Sequence, residues 1–277
     1  MKIFHVSDLM LKKKCKGKRF KMDVSRRGFM AAAAAGAVVQ GVRSAEGGGK
    51  KDRDAVVYVA AHPDDLAGSI GTVMRLAEMY DVHVVDYTHG ERGMGRARFE
   101  DGSCKKMRTA EEERICKEIG VTLHWCDEID GGAFAGRETC IKLADLFRKI
   151  NPRALIVHWF ADVHKDHMMS AAAAVKAAQL ARIQPEIYFQ EQESQSRGFL
   201  ASYYVDVSKY TERRRQLISV YKSQHGASIA ERKIETSRVN ARRICGVKIR
   251  NAEVFGVFPG TVPAGKGIFD AMPGVYR

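Results

Sequence analysis

Two short stretches concentrate the residue types that can do chemistry. Residues 60–71 read AAHPDDLAGSIG and residues 162–167 read DVHKDH. In the first, His62 offers a nitrogen ligand and Asp64 and Asp65 offer oxygens, a mixture suited to zinc or a similar divalent ion. Pro63 fixes φ and stiffens the bend. Adjacent aspartates cannot easily point the same way, so one can hold an ion while the other addresses a water. A plainer role is also open: Asp64 or Asp65 could cap the N–H groups of a following helix. In the second stretch, His164 and His167 stand three apart at the mouth of a helix, and both can face one point. Asp166 could fix a histidine tautomer. The plainer reading there is a solvent-exposed polar helix start. Taken together, the stretches supply three nitrogen or oxygen ligands and leave one coordination position open, the pattern of a catalytic zinc site. A carboxylate beside such a site can serve as a general base.

These residues need a scaffold that brings them to one place. AVVYVAA (55–61), VHVVDYT (82–88), VTLHWC (121–126) and ALIVHWF (154–160) are short apolar runs suited to strands buried on both faces. Helical spacing separates them over 66–80, 106–120, 140–150 and 166–183, with Gly120 as a C-cap and Asn151-Pro152 as a stop. HGERGMGRARFEDGSC (89–104) is glycine-rich and polar, and reads as a loop. Strand–helix alternation with such connections implies an α/β fold with a mainly parallel sheet. Sites in such folds gather at the carboxyl ends of the strands. The polar runs obey this, since HPDD follows the first strand, THGERG the second and DVHKDH the fourth. Beyond Pro185 the pattern is less regular. EIYFQ (186–190), YYVDV (203–207) and AEVFGVF (252–258) read as strands and residues 210–224 as a helix. Phe199, Tyr203 and Tyr204 could stack on a sugar or belong to the core.

The net charge of +13 raises the question of a polyanionic partner. Residues 1–53 hold 14 Lys/Arg against 4 Asp/Glu, and the other 224 residues hold 32 against 29. The basic excess thus belongs to the leader, and the body makes no electrostatic case for nucleic acid. The leader carries SRRGFM (25–30), then AAAAAGAVV (31–39), too short to span a bilayer. It fits the apolar region of an export signal on the twin-arginine route, with small residues for cleavage near Ala45. The expectation is therefore an export leader and linker over 1–53, a true start at Met22, and one catalytic domain over 54–277. Export places the protein in the periplasm or outside the cell, with the twin-arginine machinery as a partner. Membrane attachment is expected only through an uncleaved leader. Six cysteines, with no C-x-x-C pair, read as single buried thiols.

The sequence resembles the PIG-L or LmbE-like family of N-acetylglucosaminyl deacetylases. The resemblance rests on AHPDD (61–65), T-x-G-E (Thr88 to Glu91), R-x-x-E (Arg108 to Glu111) and D-x-H-x-D-H (Asp162 to His167), in that order. YVDVS (204–208), KSQ (222–224) and NAEVF (251–255) look like its weaker C-terminal signatures. It implies a Rossmann-like three-layer fold and a Zn2+-dependent hydrolase that removes an acetyl group from an N-acetylated sugar. On that pattern His62, Asp65 and His167 bind the zinc, and Asp64 is the general base for the attacking water. His164, oriented by Asp166, stabilises the oxyanion or protonates the leaving amine. Glu91 and Arg108 either line the sugar pocket or form a structural ion pair, and Asp162 is a further substrate-binding candidate. One position departs from the family: Leu66 stands where the usual wording is AHPDDE. An exported, non-catalytic sugar-binding protein and a metal hydrolase of another bond, such as an ester, are the competing readings.

Overall fold

The computed structural model describes residues 53–277. The expected export signal, the expected start at Met22 and cleavage near Ala45, and Cys15 all lie outside the described residues.

Among the described residues the alternating pattern becomes eight strands and seven α-helices. The strands are β1 (Ala55–Ala60), β2 (Asp81–Thr88), β3 (Thr122–Glu128), β4 (Ala154–His158), β5 (Glu186–Gln190), β6 (Tyr203–Asp206), β7 (Ala252–Val257) and β8 (Val275–Tyr276). The helices are α1 (Ile70–Met79), α2 (Arg96–Glu100), α3 (Ser103–Ile119), α4 (Arg137–Ile150), α5 (Lys165–Ala181), α6 (Thr211–Ile218) and α7 (Gly226–Arg242). The strands form one sheet in the order β3-β2-β1-β4-β5-β7-β6-β8. The first five strands are parallel, and β7, β6 and β8 extend the sheet with antiparallel pairings.

Strand β1 is buried at every residue, which is why it reads as a continuous apolar run. Val56, Tyr58 and Ala60 face a layer with α1, α3, α6 and α7, and Val57 and Val59 face α4 and α5. The result is three layers, helix on sheet on helix, as the Rossmann-like expectation required. From β1 the chain order departs in opposite directions, to β2 on one side and β4 on the other. That arrangement opens a crevice at the carboxyl ends of β1 and β4, where HPDD and DVHKDH emerge.

The structure departs most from the sequence expectation in three regions. The polar loop after β2 contains the short helix α2, and α3 starts three residues earlier than its apolar spacing indicates. The helix expected over 210–224 stops at Ile218, and α7 follows unforeseen. The inner face of α7 is Gly226, Ile229, Ala230, Ile234, Ser237, Asn240 and Ala241, too small and polar to print a strong hydrophobic period. A Cβ on Gly226 would lie 2.5 Å from the Ile218 carbonyl oxygen, so the turn between α6 and α7 closes only with glycine. The third is β8, two residues long and added to the sheet beyond β6. Cys104, Cys116, Cys126 and Cys140 are buried free thiols. No helix among the described residues is long and apolar enough to cross a membrane.

Candidate metal centre

The bend after β1 separates its two aspartates. Asp64 has a φ of 97°, a left-handed conformation that an aspartate tolerates better than most residues. Asp65 turns inward: its Oδ2 accepts from the backbone N–H groups of Ala61 at 3.1 Å and His62 at 2.9 Å. The same oxygen lies 3.2 Å from His158 Nε2, and Oδ1 lies 3.4 Å from His167 Nε2. Asp64 turns the other way, to an ion pair with Arg108, which also donates to the Pro63 carbonyl. Neither aspartate caps the following turn with its side chain, which removes the plainer reading of the pair.

His62 is the hub of the cluster. Its Nε2 lies 3.3 Å from Asp130 Oδ1 and 3.3 Å from Asp166 Oδ2, and its Nδ1 lies 3.5 Å from Asp65 Oδ2. The ring of His62 sits 4.7 Å from that of His164 and 5.5 Å from that of His167. His167 is buried, with Nδ1 at 3.2 Å from Asp162 Oδ1. The DVHKDH stretch is therefore no solvent-exposed helix start. Among the described residues, three donor sets are compact enough to hold a metal ion: His62, His164 and His167; Asp65, His158 and His167; and His62, Asp130 and Asp166. Each of these sets draws on a residue of the sequence-predicted trio His62, Asp65 and His167.

The electrostatics favour a cation. Three carboxylates converge on His62, and Asp166 Oδ1 is buried with no hydrogen-bond partner. Imidazole and carboxylate donors at one point fit a divalent transition metal. Burial works against charge on His167, yet the Asp65 carboxylate and hydrogen bonding to Asp162 push it up to about 9. Burial and the neighbouring His167 push His158 down to about 4, against the pull of Asp65. Burial would raise Asp65, but His167 and His158 hold it well below the usual carboxylate range. Burial raises Asp64 to about 6, with Arg108 opposing.

The remaining candidates divide between cavity and support. His62, Asp64, Asp65, Arg108, His164 and His167 line a cavity of about 460 Å³. Glu91 does not, and it makes no ion pair with Arg108: its Oε1 accepts from the Asp130 N–H at 3.0 Å and fixes the loop that carries Asp130. Asp162 stands behind His167, accepting from the His164 N–H at 2.8 Å and the Ser196 hydroxyl at 3.1 Å. It does not line the cavity, and its contacts are those of a residue that positions His167 and the start of α5. The same holds for how Asp166 acts. Its carboxylate meets His62 and the Gly131 N–H, while only its backbone N–H reaches His164 Nδ1, at 3.3 Å. Leu66 is buried in the core beneath the bend and takes no part in the cavity. Tyr203 is core as well, packed against Tyr188 and Phe269.

Sequence reasoning missed His158 and Asp130. His158 ends β4 with its ring stacked on His167 at 4.1 Å, hidden inside an apolar run. The usable signal was a polar residue at the carboxyl end of a buried strand. The weaker signatures prove to be supports. Ser223 of KSQ donates its N–H to Glu111 Oε1 at 2.9 Å, and Glu253 of NAEVF accepts from the Gly71 and Thr72 N–H groups at 3.1 and 2.6 Å. In T-x-G-E, a side chain on Gly90, at φ +60°, would run into the Arg108 guanidinium.

A mostly parallel sheet with a histidine–carboxylate cluster at the carboxyl ends of its central strands marks a Rossmann-like α/β protein whose clustered donors could hold a divalent cation. Residues 57–178, from β1 into α5, match the model of the PIG-L family, described as GlcNAc-PI de-N-acetylase. The chain is 29% identical over 135 residues to the 4-oxalmesaconate hydratase of Pseudomonas putida KT2440, a match covering 46% of this chain and 51% of that protein. It is similar to the structure of a conserved protein from Thermus thermophilus, with 26% identity, a TM-score of 0.62, and 76% and 96% of the two chains covered. The N,N'-diacetylchitobiose deacetylase of Pyrococcus horikoshii shares the fold at 21% identity and a TM-score of 0.64, with 76% and 85% covered.

Proposed function

We propose that the protein is an exported, zinc-dependent hydrolase that removes the acetyl group from an N-acetylated amino sugar or glycoconjugate. The observation that carries this reading is the split of the two adjacent aspartates. Asp65 faces the imidazoles of His158 and His167, while Asp64 stays at the wall of the same cavity, held by Arg108. His62, Asp65 and His167 would hold the zinc, with His158 behind Asp65. When bound, the ion supplies polarisation of the acyl carbonyl and a more acidic water. Asp64 takes the proton from the water that attacks the carbonyl carbon. His164, whose ring lines the cavity, faces the developing oxyanion or gives a proton to the departing amine. The C–N bond breaks, and acetate and a free amine leave. The leader supports secretion by the twin-arginine route, which points to an envelope or extracellular glycan as substrate.

Asp64→Asn tests the assignment. It is expected to keep the metal, measured by elemental analysis, and to lose about 100- to 10,000-fold in acetate release. A fully active Asp64→Asn protein removes Asp64 as the base.

The hydratase relative favours a second reading, in which the same cavity adds water across a carbon–carbon double bond conjugated to a carboxylate. Asp64 would again take the water's proton, and the adjacent carbon would receive one from His164. Loss of diene absorbance without acetate release from N-acetylated sugars would select it.

A further inference from the structure

We propose that three loops at the carboxyl edge of the sheet form a docking surface for an anionic lipid bilayer. Among the described residues, five large apolar side chains are more than half exposed, from 55% at Ile129 to 72% at Leu200; the others are Phe134, Phe160 and Val163. Ile129 and Phe134 follow β3, Phe160 and Val163 follow β4, and Leu200 lies between β5 and β6. Exposed apolar residues are normally scattered singly, and their gathering on one edge marks an interaction surface. The loops are tied together. The Gly131 N–H donates to Asp166 of α5, which the second loop enters. Asp162 and Ser196 form an antiparallel bridge between the second loop and the third. Around it the Arg197 N–H donates to the Ala161 carbonyl at 2.7 Å, and the Val163 N–H to the Gln195 carbonyl at 3.1 Å. Trp159 Nε1 donates to the Arg197 carbonyl at 2.8 Å, and its ring supports Phe160 at 4.1 Å and Phe199 at 5.3 Å. The apolar rim is thus held in place before contact, so docking requires little further ordering.

Charge selects the occupant. Lys165 and Arg197 are exposed on the second and third loops, and among the described residues neither pairs with a carboxylate. The acids of the three loops turn away from the rim. Asp130 and Asp162 are buried beside the histidines, and Glu191 and Glu193 line a groove against α7. Arg137 and Glu138, where α4 begins, offset each other. Apolar side chains flanked by unpaired cations match an anionic bilayer surface, where the apolar tips enter the acyl boundary and the cations remain at the phosphates. A second copy on the same rim would bury four such cations with no acid to meet them. The surface is separate from the leader, and it does not depend on what the cavity takes.

The test is co-sedimentation of the full chain with vesicles of phosphatidylglycerol and phosphatidylethanolamine, and with vesicles of phosphatidylcholine alone. The basic leader is present in every variant, so differences between variants report on the rim. The wild type is expected to bind the anionic vesicles, less so in high salt. Phe160→Ser with Leu200→Ser should weaken that binding about 10- to 100-fold, because two large apolar side chains no longer enter the bilayer. Lys165→Gln with Arg197→Gln should weaken it about 30-fold and leave binding to phosphatidylcholine unchanged. Met79→Ser with Val239→Ser, at exposed apolar positions elsewhere, should change nothing. Urea midpoints equal to that of the wild type establish that the variants are folded. Hydrogen exchange in the presence of anionic vesicles should slow over residues 129–134, 159–163 and 196–201. Equal vesicle binding by the wild type and the Phe160/Leu200 variant overturns the proposal. So does protection of the rim that rises with protein concentration in the absence of vesicles, which assigns it to a second copy.

Discussion

Glu253 should be among the most costly residues to remove, although it lies on β7, away from the metal cluster. Its carboxylate does two jobs. It accepts from the Gly71 and Thr72 N–H groups, at the start of α1, whose own N-cap Ser69 makes no side-chain bond. It also pairs with Arg214 Nε at 3.0 Å, where both side chains are almost wholly buried. Removing one partner of a buried pair leaves an uncompensated charge and costs about 3–5 kcal/mol. The two orphaned helix donors add a further penalty of about 1–3 kcal/mol each when sealed from water, though not additively. Glu253→Ala should therefore cost roughly 4–6 kcal/mol, a large share of the ~5–15 kcal/mol typical of a domain. Glu253→Gln keeps an acceptor for the helix but not the charge, and should cost about half as much. Urea unfolding of the purified protein measures both. Because α1 follows directly on the bend that holds His62 and Asp65, metal affinity should fall in step with stability. The double variant Glu253→Ala/Arg214→Met removes the stranded charge and should recover part of the loss. If Glu253→Ala costs under about 1 kcal/mol, or if the double variant is no more stable than the single, the pair is not what fastens α1 to the sheet.

Three further outcomes follow from separate features. Gly226→Ala would place a methyl 2.5 Å from the Ile218 carbonyl oxygen and 3.0 Å from the Tyr221 backbone. It should destabilise the protein by about 1–3 kcal/mol, read as a lower urea midpoint with unchanged slope. Burial pushes Glu112 from 4.5 up to about 7, with the Tyr221 hydroxyl opposing, so the folded state keeps a proton that the unfolded chain releases. Its contribution is fully present below pH 4.5 and is lost as pH rises through about 7, an effect of about 3 kcal/mol. The difference in stability between wild type and Glu112→Gln should therefore change across that window and be flat above it. Chelation should lower the melting temperature, and restoring zinc at about 100 times its dissociation constant should return about 2.7 kcal/mol. An unchanged melting temperature would mean that the folded cluster binds no ion.

What could be read from the sequence divides along physical lines. The parallel half of the sheet is visible because a strand buried on both faces must be apolar at nearly every position, as β1 and β4 are. The histidine–carboxylate cluster is visible because its residues sit at strand ends, where the chain leaves the core and polar residues stand out. His158 escaped for the opposite reason: it lies within an apolar run and reads as core, yet it packs behind Asp65. Strands β6 and β7 are legible as well, but α7, which packs beside them, is poorly visible because its inner face is small and polar. Arg214, Glu253, Ser237 and Asn251 form a buried polar lattice between α6, α7 and β7, which half-buried Thr211 extends. Such residues read as surface until their partners are known, and those of Asn251 are 14 and 40 positions away. Leu66 shows the same logic in reverse. It departs from the usual wording of the motif next to Asp65, and the turn from Asp65 to Gly68 carries it into the core. The substitution therefore bears on packing beneath the bend, and the cavity above keeps its donors: His62, Asp65, His164 and His167.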